Sequence, residues 1–164
     1  MNNISIKKRY KSRSIIAQVA MPTQANPAGN IHGGEIMKMM DNCAYVTAQK
    51  HCLQNAVTAA VDEIEFHSPV YVGNLITCTG TLIYTSRSSM LVTIDVVVEC
   101  LKTGAVTCAL TGFFVMVALD ASGKPTPVSP LELKSDEDRK IFEEGRLRYE
   151  AIKARRKMVC KLQM

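Results

Sequence analysis

No stretch of this chain approaches the roughly 18 consecutive apolar residues that a membrane-spanning helix requires. The basic residues up to Arg13 lack the apolar core and small-residue cleavage site of a secretory leader, so the expected compartment is the cytoplasm and no membrane partner is expected. The six cysteines, at positions 43, 52, 78, 100, 108 and 160, never form a Cys-x-x-Cys pair. Several fall inside apolar runs, which reads as reduced, mostly buried thiols rather than a disulfide framework or a zinc ligand set, and no metal site is expected. There is no internal repeat, which excludes a tandem duplication. Nor is there a Gly-x-Ser-x-Gly turn or a Ser-His-Asp arrangement, the marks of a nucleophilic serine.

What remains is one domain of 164 residues, 47% hydrophobic, long enough for a core of its own. The formal charge of +5 suits a polyanionic ligand or a nucleic acid, but most of the excess sits at the two ends. Lys7, Lys8, Arg9, Lys11 and Arg13 make a basic arm over residues 1–13, and Lys153, Arg155, Arg156, Lys157 and Lys161 a basic tail. Solvated ends account for these charges, and no nucleic-acid partner is expected.

The most informative segment is Asn26-Pro27-Ala28-Gly29-Asn30-Ile31-His32-Gly33-Gly34-Glu35-Ile36-Met37-Lys38-Met39-Met40-Asp41. A glycine pair opens a helical pattern whose apolar stripe then contains an acid. Glycines at a helix start let a ligand approach unpaired N–H groups at the positive end of the dipole, the makings of an oxyanion hole at Gly33 and Gly34. At roughly 100° per residue, Met37, Met40, Ala44, Thr47 and Ala48 share a face, with Glu35, Lys38, Asn42 and Gln49 opposite. Asp41 lies about 40° from Met37, at the edge of the apolar face, where a carboxylate is costly unless paired or used. His51 falls near the helix end and suits its negative pole.

Strand-like runs occupy 14–21, 56–66, 75–84, 90–99 and 106–119, parted by Gly73-Asn74, Ser86-Arg87-Ser88-Ser89 and Lys102-Thr103-Gly104. The order is strand, helix, then four strands, which predicts an α+β fold with an antiparallel sheet. One helix cannot cover both sides of that sheet. The later strands are apolar on both faces, so the chain is expected to oligomerise. A last helix starts at Ser135-Asp136-Glu137-Asp138, with acids at its start and cations at its end.

These residues resemble the hotdog-fold acyl-CoA thioesterases, in particular the bacterial acyl-CoA hydrolases and the brain-type cytosolic acyl-CoA hydrolase. The resemblance begins at Met21-Pro22 and runs from Ala25 through Asp41; it resumes at Phe66-His67-Ser68-Pro69-Val70-Tyr71-Val72-Gly73-Asn74, Tyr84-Thr85-Ser86-Arg87-Ser88-Ser89-Met90, and Val117-Ala118-Leu119-Asp120 with Gly123-Lys124-Pro125. It implies a curved antiparallel sheet around a long central helix, with a hotdog domain over 14–128 and a helical tail over 129–164. It also implies dimers with shared sites, assembled as a trimer of dimers. Asn26 and Asp41 would be the catalytic pair, contributed to one site by different subunits. Arg87, Ser88 and Ser89 would meet the phosphates of coenzyme A, which enters as substrate, with no cofactor. Glu35 departs from the family, where an apolar residue commonly follows the glycines.

The chemistry agrees with these roles. Thioester hydrolysis needs a polarised carbonyl, an oriented water and a base; Gly33 and Gly34 suit the first, Asn26 the second and Asp41 the third. Plainer readings stand beside them: Gly33-Gly34 as a tight helix start against a strand, Asn26 as a loop former, and Asp41 paired with His67. His32 reads as a packing or hydrogen-bonding residue, the Met37, Met39 and Met40 group as core and interface, and Arg87 and the basic tail as solvated. Two other activities are compatible with the fold: a non-catalytic acyl-CoA sensor, and an enoyl-thioester hydratase using His32 with Glu35.

Overall fold

The computed structural model describes residues 7–8 and 12–162. Its elements are β1 (Lys7–Lys8), β2 (Arg13–Val19), a 3-10 turn (Pro22–Gln24), α1 (Gly33–Cys52), β3 (Asn55–Phe66), β4 (Leu75–Thr85), β5 (Ser89–Cys100), β6 (Ala105–Leu119), β7 (Leu131–Glu132) and α2 (Asp136–Leu162). The main sheet has the order β2-β4-β5-β6-β3, antiparallel throughout, while β1 and β7 form a short parallel pair. Of the described helices, none is long and apolar enough to cross a membrane.

Strand alternation decides where the core lies. Along β4, Ile76, Cys78, Gly80 and Leu82 turn one way, and in β5 Val92, Ile94, Val96 and Val98 do the same. Against them lie Ile36, Met39, Met40, Cys43, Ala44 and Ala48 of α1. The helix touches all five strands, so the sheet must wrap around it. Each fully buried Ile, Leu or Met adds about 1.5–3 kcal/mol, which is why α1 stays central although its sequence is only weakly apolar. The strand expectations agree with the structure within one residue at most ends. Met37 does not belong to the buried face: it is 39% exposed, and Ile36 and Met39 take its place because the buried arc is rotated toward them.

The opposite face of the sheet is partly covered from within the chain. Ser135 caps α2 by accepting from Asp138 N–H (3.0 Å), and Asp138 accepts in return from Ser135 N–H (3.2 Å). The helix then lays Phe142, Tyr149 and Ile152 on Ile83, Tyr84, Leu91 and Val115, with Tyr84 ringed by Phe142 at 5.0 Å and Tyr149 at 5.3 Å. So the outward apolar residues at this end of the sheet are covered by α2, not by a second molecule. Arg148 stacks over Phe113 (3.8 Å) and pairs with Glu63, and Arg155 reaches Asp62 at 2.8 Å, tying α2 to β3.

Five cysteines are free thiols: Cys43, Cys52 and Cys78 are buried, Cys100 is half-buried and Cys108 is exposed; the side chain of Cys160 lies outside the described residues. Burial, with Cys43 nearby, pushes the Cys78 thiol up to about 12. His51 does more than meet the helix pole. It is fully buried, with Nδ1 2.6 Å from Ser12 Oγ and Nε2 2.6 Å from the Ser129 carbonyl, joining α1 to both chain segments that cross its end.

Candidate active site

The loop before α1 is built around Asn26. Its backbone N–H donates to Asn30 O (2.7 Å), its carbonyl accepts from Gly29 N–H (2.9 Å), and its Oδ1 accepts from Ala28 N–H (2.9 Å) and Asn30 N–H (3.2 Å). Gly29 sits at φ +85°, a left-handed turn that suits glycine. The loop is anchored outside by Ile31 N–H to Val70 O and His32 N–H to Gln24 O, both 2.8 Å. Asn26 is therefore the loop former of the plainer reading, yet its amide Nδ2 donates to no protein atom among the described residues, and the residue lines a cleft.

That cleft, about 350 Å³, joins Asn26 and Asn30 to Gly33 and Ile36 of α1, to Phe66 at the end of β3 and to His67 and Ser68 beyond it. A methyl group at Gly33 would come within 2.8 Å of the Phe66 ring, so glycine here lets β3 close on the helix start. Gly33 N–H has no hydrogen-bond acceptor among the described residues. Gly34 differs: its N–H donates to His32 Nδ1 at 3.0 Å, making His32 the N-cap of α1. Of the two expected oxyanion donors, one is open to the cleft and the other is engaged by its own helix cap.

Asp41 does not line this cleft. It lies half-buried beside β3, where its Oδ1 accepts from the Thr58 hydroxyl at 2.6 Å. His67, its suggested partner, instead contacts Thr111 Oγ1 at 3.1 Å. Thr58 is the residue that reading the sequence missed. The bulge between Thr58 and Ala60 sets its place, and no spacing along the chain signals that bulge.

Arg87 is exposed in the β4–β5 turn, which Ser86 N–H closes onto Ser89 O (2.8 Å); Ser89 N–H donates to Ser86 Oγ (3.3 Å), and Ser88 O accepts from Ala118 N–H (3.0 Å). The turn stands at the far end of β4 from the loop holding Asn26, about 35 Å of strand away. Within one subunit the structure therefore separates three groups: Asn26 with Gly33, Asp41 with Thr58, and Arg87 with its serines.

A five-stranded antiparallel sheet wrapped around one long helix, with a cleft opening at that helix's N-terminus, defines a hotdog-fold protein. The thioesterase superfamily model matches residues 28–105. A solved apo-hexameric acyl-CoA thioesterase is 35% identical, with a TM-score of 0.87, over 93% of this chain and 97% of that one. The acyl-CoA hydrolase of Staphylococcus aureus, solved with butyryl coenzyme A, coenzyme A and coenzyme A disulfide, is 26% identical with a TM-score of 0.87 over 96% of each chain. Variants of that hydrolase with an Asn, an Asp or a Thr replaced by Ala have also been solved. The rat cytosolic acyl coenzyme A thioester hydrolase is 39% identical over 149 residues, covering 88% of this chain but only 39% of the rat protein. The chain spans about two fifths of that relative's length. It belongs to the thioesterase superfamily, in the hotdog-fold acyl-CoA thioesterase family.

Proposed function

We propose that the protein hydrolyses acyl-CoA thioesters to a free acid and coenzyme A, in a site shared between two copies of the chain. The observation that carries this reading is the cleft at the positive end of α1 that Asn26 and Gly33 both line, the Asn26 amide Nδ2 and the Gly33 N–H having no protein acceptor among the described residues. There, the Gly33 N–H receives the developing oxyanion of the thioester carbonyl. Asn26 orients the attacking water or the carbonyl. Asp41 of the partner subunit takes the proton from water, held by the partner subunit's Thr58. Water is the only co-reactant, and the reaction calls for no cofactor or metal. In the Staphylococcus aureus hydrolase the Asn, Asp and Thr chosen for replacement are separated by the same intervals as Asn26, Asp41 and Thr58 here, which supports assigning Thr58 to the same site.

The placing of these groups supports a shared site. β3 is an edge strand of 12 residues with Val57 and Val61 exposed, a surface that natural proteins seldom leave open to water. Thr58 stands exposed on that edge and holds Asp41 of α1 beside it. A second copy paired there presents its carboxylate to the first copy's cleft. The dimers then assemble as a trimer of dimers, where Arg87, Ser88 and Ser89 reach the coenzyme A phosphates from a neighbouring subunit. The test is thiol release from CoA esters of short to long acyl chains. Asp41→Asn and Asn26→Ala should each lower turnover by about 10²-fold with fold and assembly unchanged. Folded variants with near-normal rates would sink the assignment.

A further inference from the structure

α2 carries two apolar faces. One holds Gly145, Tyr149 and Ile152 against the sheet. On the other side Ala151 and Ala154 are exposed, as are Leu147 (57%) and Met158 (66%). At roughly 100° per residue these four positions fall within an arc of about 60° opposite the buried face. Their alternating spacing of four and three is that of a two-helix coiled-coil seam.

Charge decides the orientation of the partner helix. From Ala151 onward α2 carries Lys153, Arg155, Arg156, Lys157 and Lys161 and no acid. In its first half Arg139, Arg146 and Arg148 are paired with Asp136, Glu143 and Glu63, leaving Glu137, Glu144 and Glu150 against Lys140 without ion pairs among the described residues. A second α2 laid parallel would set the basic half on the basic half. Laid antiparallel, it sets the basic end opposite residues 143–152, where Glu144 and Glu150 carry no ion pair among the described residues. The antiparallel register about a two-fold axis between residues 152 and 153 also makes the seam self-complementary: Leu147 meets Met158 of the partner subunit and Ala151 meets the partner subunit's Ala154, as an isologous contact demands. Alanines at the centre let the axes approach to the short end of the usual 8–10 Å range.

The surroundings favour the same occupant. A cleft of about 620 Å³ runs beside the seam, shares Leu147 and Ala151 with it, and is floored by Ile83, Phe113 and Ile141. Arg148 and Arg155 fasten this part of α2 to Asp62 and Glu63 of β3, the edge where the shared-site reading, on which this one point rests, already calls for a second copy. We propose that α2 pairs antiparallel with α2 of a second copy through Leu147, Ala151, Ala154 and Met158, closing that cleft.

The test uses the full chain in sedimentation velocity across a dilution series. Leu147→Lys should raise the dissociation constant of one association step about tenfold or more, by setting a cation against the partner's basic half at each end of the seam. Adding Met158→Glu should recover most of the loss, because the two new charges face each other only in the antiparallel register. Oxidation of the double variant Ala151→Cys, Ala154→Cys should give 151-to-154 links between chains, identified by peptide mass spectrometry. An unchanged dissociation constant for Leu147→Lys, a loss that Met158→Glu does not repair, or only 151-to-151 and 154-to-154 links would each overturn the pairing. Thiol release, measured on the same samples, separates the two readings. Links in the double variant together with no thiol release by the wild type would count against the proposed activity alone, and thiol release without links against the helix pairing alone.

Discussion

In the proposed hydrolysis the Asp41 carboxylate must keep one oxygen turned toward the water, and the Thr58 hydroxyl holds the other by donating to Oδ1 at 2.6 Å. That leaves Oδ2 for the water. The same hydroxyl lies 3.5 Å from Met116 Sδ, so its position is fixed by the sheet as well as by the acid. Thr58→Val keeps the volume and β-branch but removes the donor, which frees the carboxylate to rotate. We expect kcat to fall about tenfold, less than the loss from Asp41→Asn, since misorientation costs less than absence of the base. Steady-state thiol release with the circular dichroism spectrum as a check on folding decides it. A folded Thr58→Val protein with unchanged kcat would make the bond a fastening between α1 and β3 and nothing more.

At the scale of elements, α1 is seated on β4 through a glycine. A Cβ built on Gly80 overlaps Thr47 Oγ1 and comes within 3.1 Å of both Cys43 Sγ and Ile94 Cδ1. Thr47 cannot yield easily, because its hydroxyl donates to Cys43 O (2.8 Å) one turn back in the helix. Gly80→Ala should therefore lift α1 from the sheet and destabilise the fold by about 1–3 kcal/mol, measured as a lowered urea midpoint with an unchanged slope. A midpoint equal to the wild type's would mean that this contact has slack. The elements themselves were legible in the sequence because each boundary carries its own chemistry: Gly33-Gly34 opens α1, Ser86 to Ser89 and Thr103-Gly104 turn the hairpins, and Ser135 caps α2. Asn26, Gly33 and Asp41 were legible for the same reason, as unusual residues at a helix start and on its stripe. What could not be read depends on contacts between elements. The bulge that brings Thr58 to Asp41, the rotation that buries Ile36 and exposes Met37, and the covering of Tyr84 by α2 have no local signature.

In the whole molecule the distribution of these groups becomes a prediction about assembly. One subunit holds Asn26 and Gly33 on its cleft, while its Asp41 and Thr58 stand on the β3 edge, outside the residues that line that cleft. If a second copy supplies the carboxylate, a two-fold dimer has two sites, each built from the Asn26 of one chain and the Asp41 of the other. Asn26→Ala homodimers and Asp41→Asn homodimers are then both inactive. In a mixed dimer one site has lost both residues and the other retains both. Equal amounts of the two variants, reassorted at random, place about half of the chains in mixed dimers with one working site of two, so the mixture should recover about a quarter of wild-type turnover. Reassortment is achieved by dilution below the dissociation constant and reconcentration, or by coexpression with distinguishable tags. A recovered rate near a quarter, rising with the fraction of tag-heterogeneous dimer isolated, places the two residues on different chains of one site. A mixture that stays at the sum of its parents' rates, although mixed dimers are isolated, would place Asn26 and Asp41 in the service of a single chain and remove the need for the shared site.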